Sequence, residues 1–342
     1  MKAFRLAAAS FAFSALVPLA AQAQDNVLNL YSARHYQTDE ALYSNFTQAT
    51  GIRINRIEAG DEQLIERLKS EGTNSPADVL LIVDASRLYN AQQIGLFQPV
   101  KSATLDQRIP ASMRDPNGEW FGFSSRARVM VYNKAQLKPS DIATYEALAD
   151  PKLKGKICVR SGAHPYNLSL VASMITHDGE AKTEQWAKGV VGNFARQPKG
   201  GDLDQIKAVA AGECDVAIVN TYYYARVMRS TKPEDREIAA KTGVVWPNQA
   251  GAGTHVNISG AGVLKHAPHR EAAVKFLEYL ASDEAQRYFA DGNNEWPAVK
   301  SVSVRNPALD VMGEFKADDV SIAALGKNTP AAQKLVDRAG WR

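Results

Sequence analysis

The stretch "ADVLLIV", residues 77–83, decides the fold class of this chain. Its last five positions are continuously apolar, which is typical of a strand covered on both faces rather than one that alternates between core and solvent. Such a strand belongs to a parallel sheet with helices on both sides. We therefore expect the neighbouring sequence to supply further parallel strands and the helices that connect them.

Upstream of this stretch, the apolar residues alternate between strand and helix spacing. Two strands and two helices are predicted, in chain order, at residues 27–31, 38–50, 52–57 and 61–71. Thr38 resembles an N-cap, and Gly51 stands where the first helix would end. The order β-α-β-α-β predicts that the three strands are parallel.

The remainder of the chain continues in the same style. A long strand is predicted within residues 120–132, around 128–132, and further strands at residues 156–160, 215–219 and 256–263. Helices are predicted at residues 168–175, 206–211, 271–281 and 283–289. The chain is longer than one core usually supports, so we expect two α/β lobes with the chain crossing between them more than once. Residues 24–125 and 250–303 would form the first lobe, and residues 126–249 and 304–342 the second.

The N-terminus predicts export. Lys2 and Arg5 make its start positive, residues 6–20 are apolar but short for a membrane span, and Ala21-Gln22-Ala23 fits a cleavage site. A signal peptide of residues 1–23 would thus be removed, although a permanent N-terminal anchor is the alternative.

Charge and cysteine content narrow the classes of function. The chain has 40 basic and 37 acidic residues, a balance that favours neither a nucleic acid nor an anionic membrane as partner. Cys158 and Cys214 are its two cysteines, and in an oxidising setting they would form a disulfide, with two buried free thiols as the alternative. Their spacing does not suit a metal site.

Three groups of side chains that can coordinate a ligand follow predicted strands: His35-Tyr36, His164-Pro165-Tyr166 and Tyr222-Tyr223-Tyr224. Ligands of open parallel sheets bind beyond the carboxyl ends of the strands, so we expect the three groups to meet in one cleft. Thr221 would cap the helix that begins there, and Tyr224 would turn away. Taken singly, each tyrosine also fits a packing role and each histidine a surface role.

Several phenols around one point indicate a hard, highly charged cation. The phenol of tyrosine has a pKa of about 10, so it becomes an anion at neutral pH only when a strong Lewis acid displaces its proton. Ferric iron is such an ion, and it prefers anionic oxygen. Three phenolates neutralise Fe³⁺, whereas a fourth leaves a negative charge that Arg126 or Arg128 could balance. Surface or interlobe salt bridges are the alternative role of these arginines.

Over essentially its whole mature length, the chain resembles the periplasmic ferric-ion-binding proteins of ABC-type iron importers. The residues that carry the resemblance are Tyr31-Ser32-Ala33-Arg34-His35-Tyr36, Ala77-Asp78-Val79, Ser161-Gly162 with Tyr166, and Asn220-Thr221-Tyr222-Tyr223. The paired tyrosines are the family's most specific mark. The resemblance implies a two-lobed α/β periplasmic binding protein, type II-like, in which each lobe is a mostly parallel sheet flanked by helices and the ligand cleft lies between the lobes.

The resemblance also implies a ligand set, that of the tyrosine-rich branch: His35, Tyr36, Tyr166, Tyr222 and Tyr223. Another branch uses a glutamate of the first lobe together with a bound anion. Asp84 stands near that glutamate's place and would support the ligands here. Arg126, Ser161 and Gly162 would contact a synergistic anion such as carbonate, or only shape the site.

The function that this resemblance implies is transport. The chain would be a monomeric periplasmic protein that takes ferric iron as cargo and delivers it to an ABC permease in the inner membrane. Two alternatives stay open. The same fold binds polyamines, thiamine and phosphonates, and Tyr222, Tyr223 and Trp246 could surround an organic cation. An exported enzyme is the other, although G-x-S-x-G, H-E-x-x-H and a complete G-x-G-x-x-G are missing from the sequence.

Overall fold

A computed structural model describes residues 26–34 and 39–342 of the chain. The predicted signal peptide lies outside the described residues, as do the predicted ligands His35 and Tyr36 and the predicted cap Thr38. Within the described ranges, no helix combines the length and the apolar character that crossing a membrane requires.

Strands and helices alternate along the described chain. The strands are β1 (Val27–Ser32), β2 (Arg53–Glu58), β3 (Val79–Ile82), β4 (Phe121–Asn133), β5 (Ile157–Cys158), β6 (Val216–Asn220), β7 (Thr242–Val245), β8 (Val256–Val263) and β9 (Trp296–Pro297). The helices are α1 (Asp39–Thr50), α2 (Asp61–Glu71), α3 (Ala85–Gln93), α4 (Ala103–Arg108), α5 (Pro165–Asp178), α6 (Glu180–Gly192), α7 (Asp202–Ala211), α8 (Thr221–Arg229), α9 (Pro233–Lys241), α10 (Arg270–Leu280), α11 (Asp283–Asn293), α12 (Pro307–Met312) and α13 (Ile322–Ala339).

The strands follow the order β2-β1-β3-β8-β4-β6-β5, and β7 and β9 also pair with β4. The predicted parallel pairing is confirmed for β1 with β2 and β3, and for β5 with β6. The central strands differ from the mostly parallel arrangement expected, because β8 pairs antiparallel with β3 and β4 pairs antiparallel with both β8 and β6. Strands β4 and β8 run through the middle of the sheet in opposite directions.

Strand β4 joins the two halves of the sheet. Its first part, residues 121–127, pairs with β8, and its second part, residues 128–133, pairs with β6 and β7. At the change of partner, the Arg128 amide donates to the His255 carbonyl at 3.0 Å. The predicted first boundary between lobes, at residue 126, lies beside this change, and the lobe boundaries themselves stay a prediction.

The prediction that β3 is covered on both faces of the sheet is confirmed, since all four of its residues are buried. Val79 and Leu81 belong to one apolar cluster, and Leu80 and Ile82 belong to another. Alternate side chains therefore enter cores on opposite faces of the sheet. Burying a side chain of this size contributes about 1.5–3 kcal/mol.

Helix α13 connects the two halves on their helical side. It packs against α5 and α6, which follow β5, and against α3, which follows β3. The approach to α3 is close, because a Cβ atom at Gly326 would lie 2.3 Å from the Tyr89 ring. Glycine at this position allows the two helices to touch.

The predicted disulfide between Cys158 and Cys214 is confirmed, with Cα atoms 5.8 Å apart. Cys158 ends β5, and Cys214 lies two residues before β6. The bond therefore ties together the two strands from which the predicted tyrosine ligands of the second lobe follow.

Candidate functional site

A cleft of about 360 Å³ lies at the carboxyl ends of the parallel strands. One wall consists of residues that follow β1, β2 and β3, and the other consists of the first residues of α5 with His164 before them. The lining residues are Ala33, Arg34, Glu58, Ala59, Gly60, Asp61, Val83, Asp84, His164, Pro165 and Tyr166. This is the edge of the sheet at which a ligand was expected.

Three of the predicted ligands meet beside this cleft. The Tyr222 hydroxyl donates to the Tyr166 hydroxyl at 3.1 Å, and the rings of Tyr222 and Tyr223 lie 4.3 Å apart. Tyr166 and Tyr222 are buried, and Tyr223 is partly exposed. Helix α5 brings the first phenol and helix α8 brings the other two, each from the first turn after a strand or short loop.

Three arginines surround the ring of Tyr166. The guanidinium carbons of Arg126, Arg128 and Arg160 lie 5.9, 5.8 and 5.1 Å from the ring centroid. Burial raises the pKa of the Tyr166 phenol to about 12, and Tyr223 adds to the rise, while Arg126 and the Tyr222 hydrogen bond oppose it. Tyr166 is therefore a neutral phenol at neutral pH, in a setting whose positive charge suits a phenolate once a metal displaces the proton.

Arg128 and Asp202 form the buried frame behind these phenols. The Arg128 guanidinium donates to Asp202 at 2.6 Å and to the Asn167 side chain at 2.6 Å. Asp202 also accepts from the Asn220 amide at 2.7 Å and from Arg160 at 3.2 Å. Because Asn220 immediately precedes α8, this network fixes the turn from which Tyr222 and Tyr223 extend. The alternative role of Arg128, a solvated surface charge, does not apply.

Tyr224 turns away from the cleft, as predicted. It is buried, and its hydroxyl donates to the Thr242 carbonyl at 3.0 Å. The prediction that Thr221 caps α8 was wrong. Asn220 occupies the cap position, but its side chain accepts from Arg128 at 3.2 Å and does not cap the helix. The Thr221 hydroxyl accepts from the Ala127 amide at 3.2 Å. A tertiary contact with β4 has replaced the local one.

Three carboxylates line the cleft from the first half of the chain: Glu58, Asp61 and Asp84. Asp84 is fully buried and caps α3, accepting from the Ser86 amide at 2.9 Å and from the Asn257 side chain at 2.7 Å. The Asp61 Oδ1 atom is buried and makes no hydrogen bond with any described residue. Burial and then Asp84 raise the pKa of Asp61 to about 6, while Arg87 opposes the rise.

The residues before α5 form a tight turn. Gly162 is buried against the C-terminal Trp341, whose carbonyl oxygen would lie 2.5 Å from a Cβ atom at this position. The Ser161 carbonyl accepts from the Asn167 side chain at 3.0 Å, and His164 Nδ1 accepts from the Tyr166 amide at 3.3 Å. These contacts support a structural role in aiming Tyr166. Arg126 is buried and donates to the Ser259 hydroxyl at 2.9 Å.

Trp246 does not join the tyrosines in an aromatic box. Its ring stacks on Phe315 with centroids 4.1 Å apart and meets Trp296 at 5.8 Å. The alternative grouping of Trp246 with Tyr222 and Tyr223 has no ring contact among the described residues to support it, although Trp246 and Tyr223 pack against the same apolar cluster.

The sequence analysis does not identify five charged residues that lie near the phenols or line the cleft: Glu58, Asp61, Arg160, Asp202 and Arg226. Arg226 has its guanidinium 5.6 Å from the Tyr223 ring centroid. Its spacing of three residues from Tyr223 on one helix could have indicated this contact. Arg160 follows β5 directly, so its position at a strand end was also a usable signal. Nothing in the spacing of Asp202 indicated that it would meet Arg128.

The chain matches known proteins over most of its length. The family model described as bacterial extracellular solute-binding protein matches residues 41–318. Iron uptake protein A2 of Synechocystis is 52% identical over 328 residues, which cover 95% of this chain and 93% of that protein.

Solved structures also match the chain over most of its length. A Trichodesmium protein in complex with iron and citrate ligands is 54% identical, with a TM-score of 0.87 over 92% of this chain and all of that one. The ferric binding protein from Campylobacter jejuni is 41% identical, with a TM-score of 0.88 over the same shares of the two chains.

Proposed function

The chain belongs to the bacterial extracellular solute-binding protein family, and from that premise we propose that it captures ferric iron and delivers it to an ABC importer. Relatives that match most of its length have names of iron uptake and ferric-binding proteins. Export by a signal peptide of residues 1–23, a periplasmic location, a monomeric state and a permease in the inner membrane belong to this proposal. No catalytic activity does.

One observation carries the chemistry: the hydroxyl oxygens of Tyr166 and Tyr222 lie 3.1 Å apart. Two phenols at this distance can turn their oxygens to a common cation, and the ring of Tyr223 lies against that of Tyr222. Ferric iron is the ion for which phenolate is well suited, and its binding would displace both protons. We propose that these three tyrosines bind the iron.

The first lobe would complete the site. His35 and Tyr36 follow β1, whose end borders the cleft through Ala33 and Arg34. In the proposed mechanism they reach the ion from the wall opposite Tyr166, so that bound iron holds the two lobes together. The closed form, stabilised by its higher affinity for iron, is then what the permease recognises.

The arginines give the site its charge balance. Four phenolates around Fe³⁺ leave one negative charge, and Arg126 and Arg160 lie beside the Tyr166 ring while Arg226 lies beside the Tyr223 ring. Such nearby cations favour the ionised ligands. A synergistic anion such as carbonate could add a further ligand, with Arg126 as its contact.

Spectroscopy of the purified mature protein tests the proposal. Ferric nitrilotriacetate should produce a visible phenolate-to-iron absorption band, with one iron per chain by metal analysis. Tyr222→Phe and Tyr223→Phe should each remove most of the band and weaken iron affinity by more than the roughly 10–100-fold typical of contacts outside the ligand shell. Asp84→Asn should stay at or below that range, since both carboxylate oxygens are already bonded within the protein.

Tyr224→Phe is the matched control, because the hydroxyl of this neighbouring tyrosine donates to the Thr242 carbonyl and not to the cleft. It should keep the band and the affinity. A protein without any visible band on iron addition, or equal losses at all three positions, would show that the phenols are not the ligands. Loss of iron from Asp84→Asn as complete as from Tyr223→Phe would assign the metal to a carboxylate instead.

A further inference from the structure

A second cavity, of about 550 Å³, opens between β9 and the segment after α12. We call it the aromatic groove, and its lining residues are Trp296, Val304, Leu309, Asp310, Gly313, Glu314 and Phe315. It shares no lining residue with the tyrosine cleft. Nothing in iron capture uses it.

Two aromatic rings form a fixed corner of the groove. The rings of Trp296 and Phe315 lie 5.3 Å apart at 63° to each other. Phe315 is held from behind by Trp246, whose plane is 3° from its own, and the Trp246 indole N–H donates to the Met312 carbonyl at 2.7 Å. The two walls are therefore positioned by packing and a hydrogen bond before any ligand arrives.

The charge of the groove is negative. Asp310 and Glu314 are exposed, and neither side chain makes an ion pair or hydrogen bond with a described residue. No lysine or arginine is among the lining residues. Aromatic faces present negative charge to a ligand as well, so both kinds of lining group attract cations.

We propose that the aromatic groove binds a small quaternary ammonium ion. Such an ion carries a diffuse positive charge inside an apolar surface, which fits the aromatic corner of Trp296 and Phe315 and the aliphatic side chains of Val304 and Leu309. An anion would be repelled by the two carboxylates. A small metal ion would find too few oxygen ligands for its usual coordination.

Calorimetric titration of the full mature protein with choline tests this assignment, and its neutral isostere 3,3-dimethyl-1-butanol serves as the comparison ligand. Choline should bind with one site per chain, and the isostere should bind at least about tenfold more weakly. The double variant Asp310→Asn with Glu314→Gln should weaken choline binding about tenfold, and Phe315→Leu should weaken it by a similar factor.

The matched control is Glu234→Gln with Asp319→Asn, which removes two exposed carboxylates elsewhere and changes the net charge equally. It should bind choline as the parent protein does. Absent choline binding, equal binding of the isostere, or an equal effect of the two double variants would overturn the proposal. Iron loading of the Asp310/Glu314 variant should match the parent, so failure here is distinguishable from failure of the iron proposal.

Discussion

At the scale of single residues, the Tyr166 phenol sets the acid dependence of iron capture. Its pKa is raised to about 12 by burial, so the phenol keeps its proton throughout the neutral range until a metal displaces it. Each phenolate formed on binding releases one proton, and affinity then rises about tenfold per pH unit for each proton released. Iron should accordingly be held less tightly as the pH falls.

The number of protons released on iron binding can be measured directly. We expect Tyr222→Phe to release about one proton fewer than the parent protein when ferric nitrilotriacetate is added in weakly buffered solution with a pH indicator. Tyr224→Phe, whose hydroxyl bonds Thr242, should release the parent's number. Equal proton release from Tyr222→Phe and the parent would mean that this phenol is not ionised by the metal.

We expect the Asp61 carboxyl to make the stability of the iron-free protein depend on pH. Its pKa of about 6 lies above the value of 3.8 for an unperturbed carboxyl, so the folded protein favours the neutral acid. The stability that this group contributes is present below about pH 4 and is lost as the pH rises through 6. We expect Asp61→Asn to raise the free energy of unfolding at pH 7.5 by about 1–2 kcal/mol.

Urea unfolding at several pH values would test this expectation. The gain from Asp61→Asn should shrink towards zero near pH 4, while Asp319→Asn, at an exposed carboxylate, should change little at either pH. A gain that is constant with pH would show that the Asp61 carboxylate does not titrate abnormally.

At the scale of elements, the strands were largely predictable because their apolar pattern follows their burial. Strand β8 has the predicted bounds, 256–263. Strand β4, from Phe121 to Asn133, fills the stretch 120–132 in which a long strand around residues 128–132 is predicted, although Ser124 and Arg126 are buried polar residues that interrupt the apolar run. Sequence patterns detect apolar cores, whereas a polar stretch that lines a site resembles a loop.

One part of the candidate site could be predicted from the sequence, and another part could not. The meeting of Tyr166 and Tyr222 was predictable, since strand ends that share a sheet edge bring the residues after them together. The frame behind them was not, because Arg128 and Asp202 meet only through the packing of α7 on β6. The cap predicted for Thr221 failed for a related reason: its hydroxyl accepts from the Ala127 amide, in a strand far away in sequence.

We expect the disulfide between Cys158 and Cys214 to stabilise the fold without affecting iron binding. Cys158 and Cys214 are 56 residues apart, and a cross-link of that span typically stabilises by about 2–4 kcal/mol. Cys158→Ser with Cys214→Ser should lower the melting temperature of the iron-free protein, measured by circular dichroism. Since neither cysteine is a proposed ligand, the iron-loaded variant should keep the position of the visible band. A shifted band would mean that the bond also sets ligand geometry.

At the scale of the whole molecule, the two halves are joined by β4, β8 and helix α13. Strand β4 changes partner between residues 127 and 128, and we expect the two halves to rotate against each other there. Such a rotation would bring together the walls of the cleft. Helix α13 contacts α3 and α5, so the motion must keep that contact or slide along it.

We expect iron binding to close the two lobes around the cleft. Tyr36 would bind from the first lobe and Tyr166, Tyr222 and Tyr223 from the second, so only an ion that contacts both lobes favours the closed form. Small-angle X-ray scattering should show a smaller radius of gyration for the iron-loaded protein than for the iron-free one. Tyr36→Phe, loaded to full occupancy, should shrink less, because it leaves His35 as the single proposed ligand from the first lobe while the three remaining phenols come from the second. Tyr224→Phe should close as fully as the parent, and a Tyr36→Phe protein that closes equally would move the interlobe link to another residue.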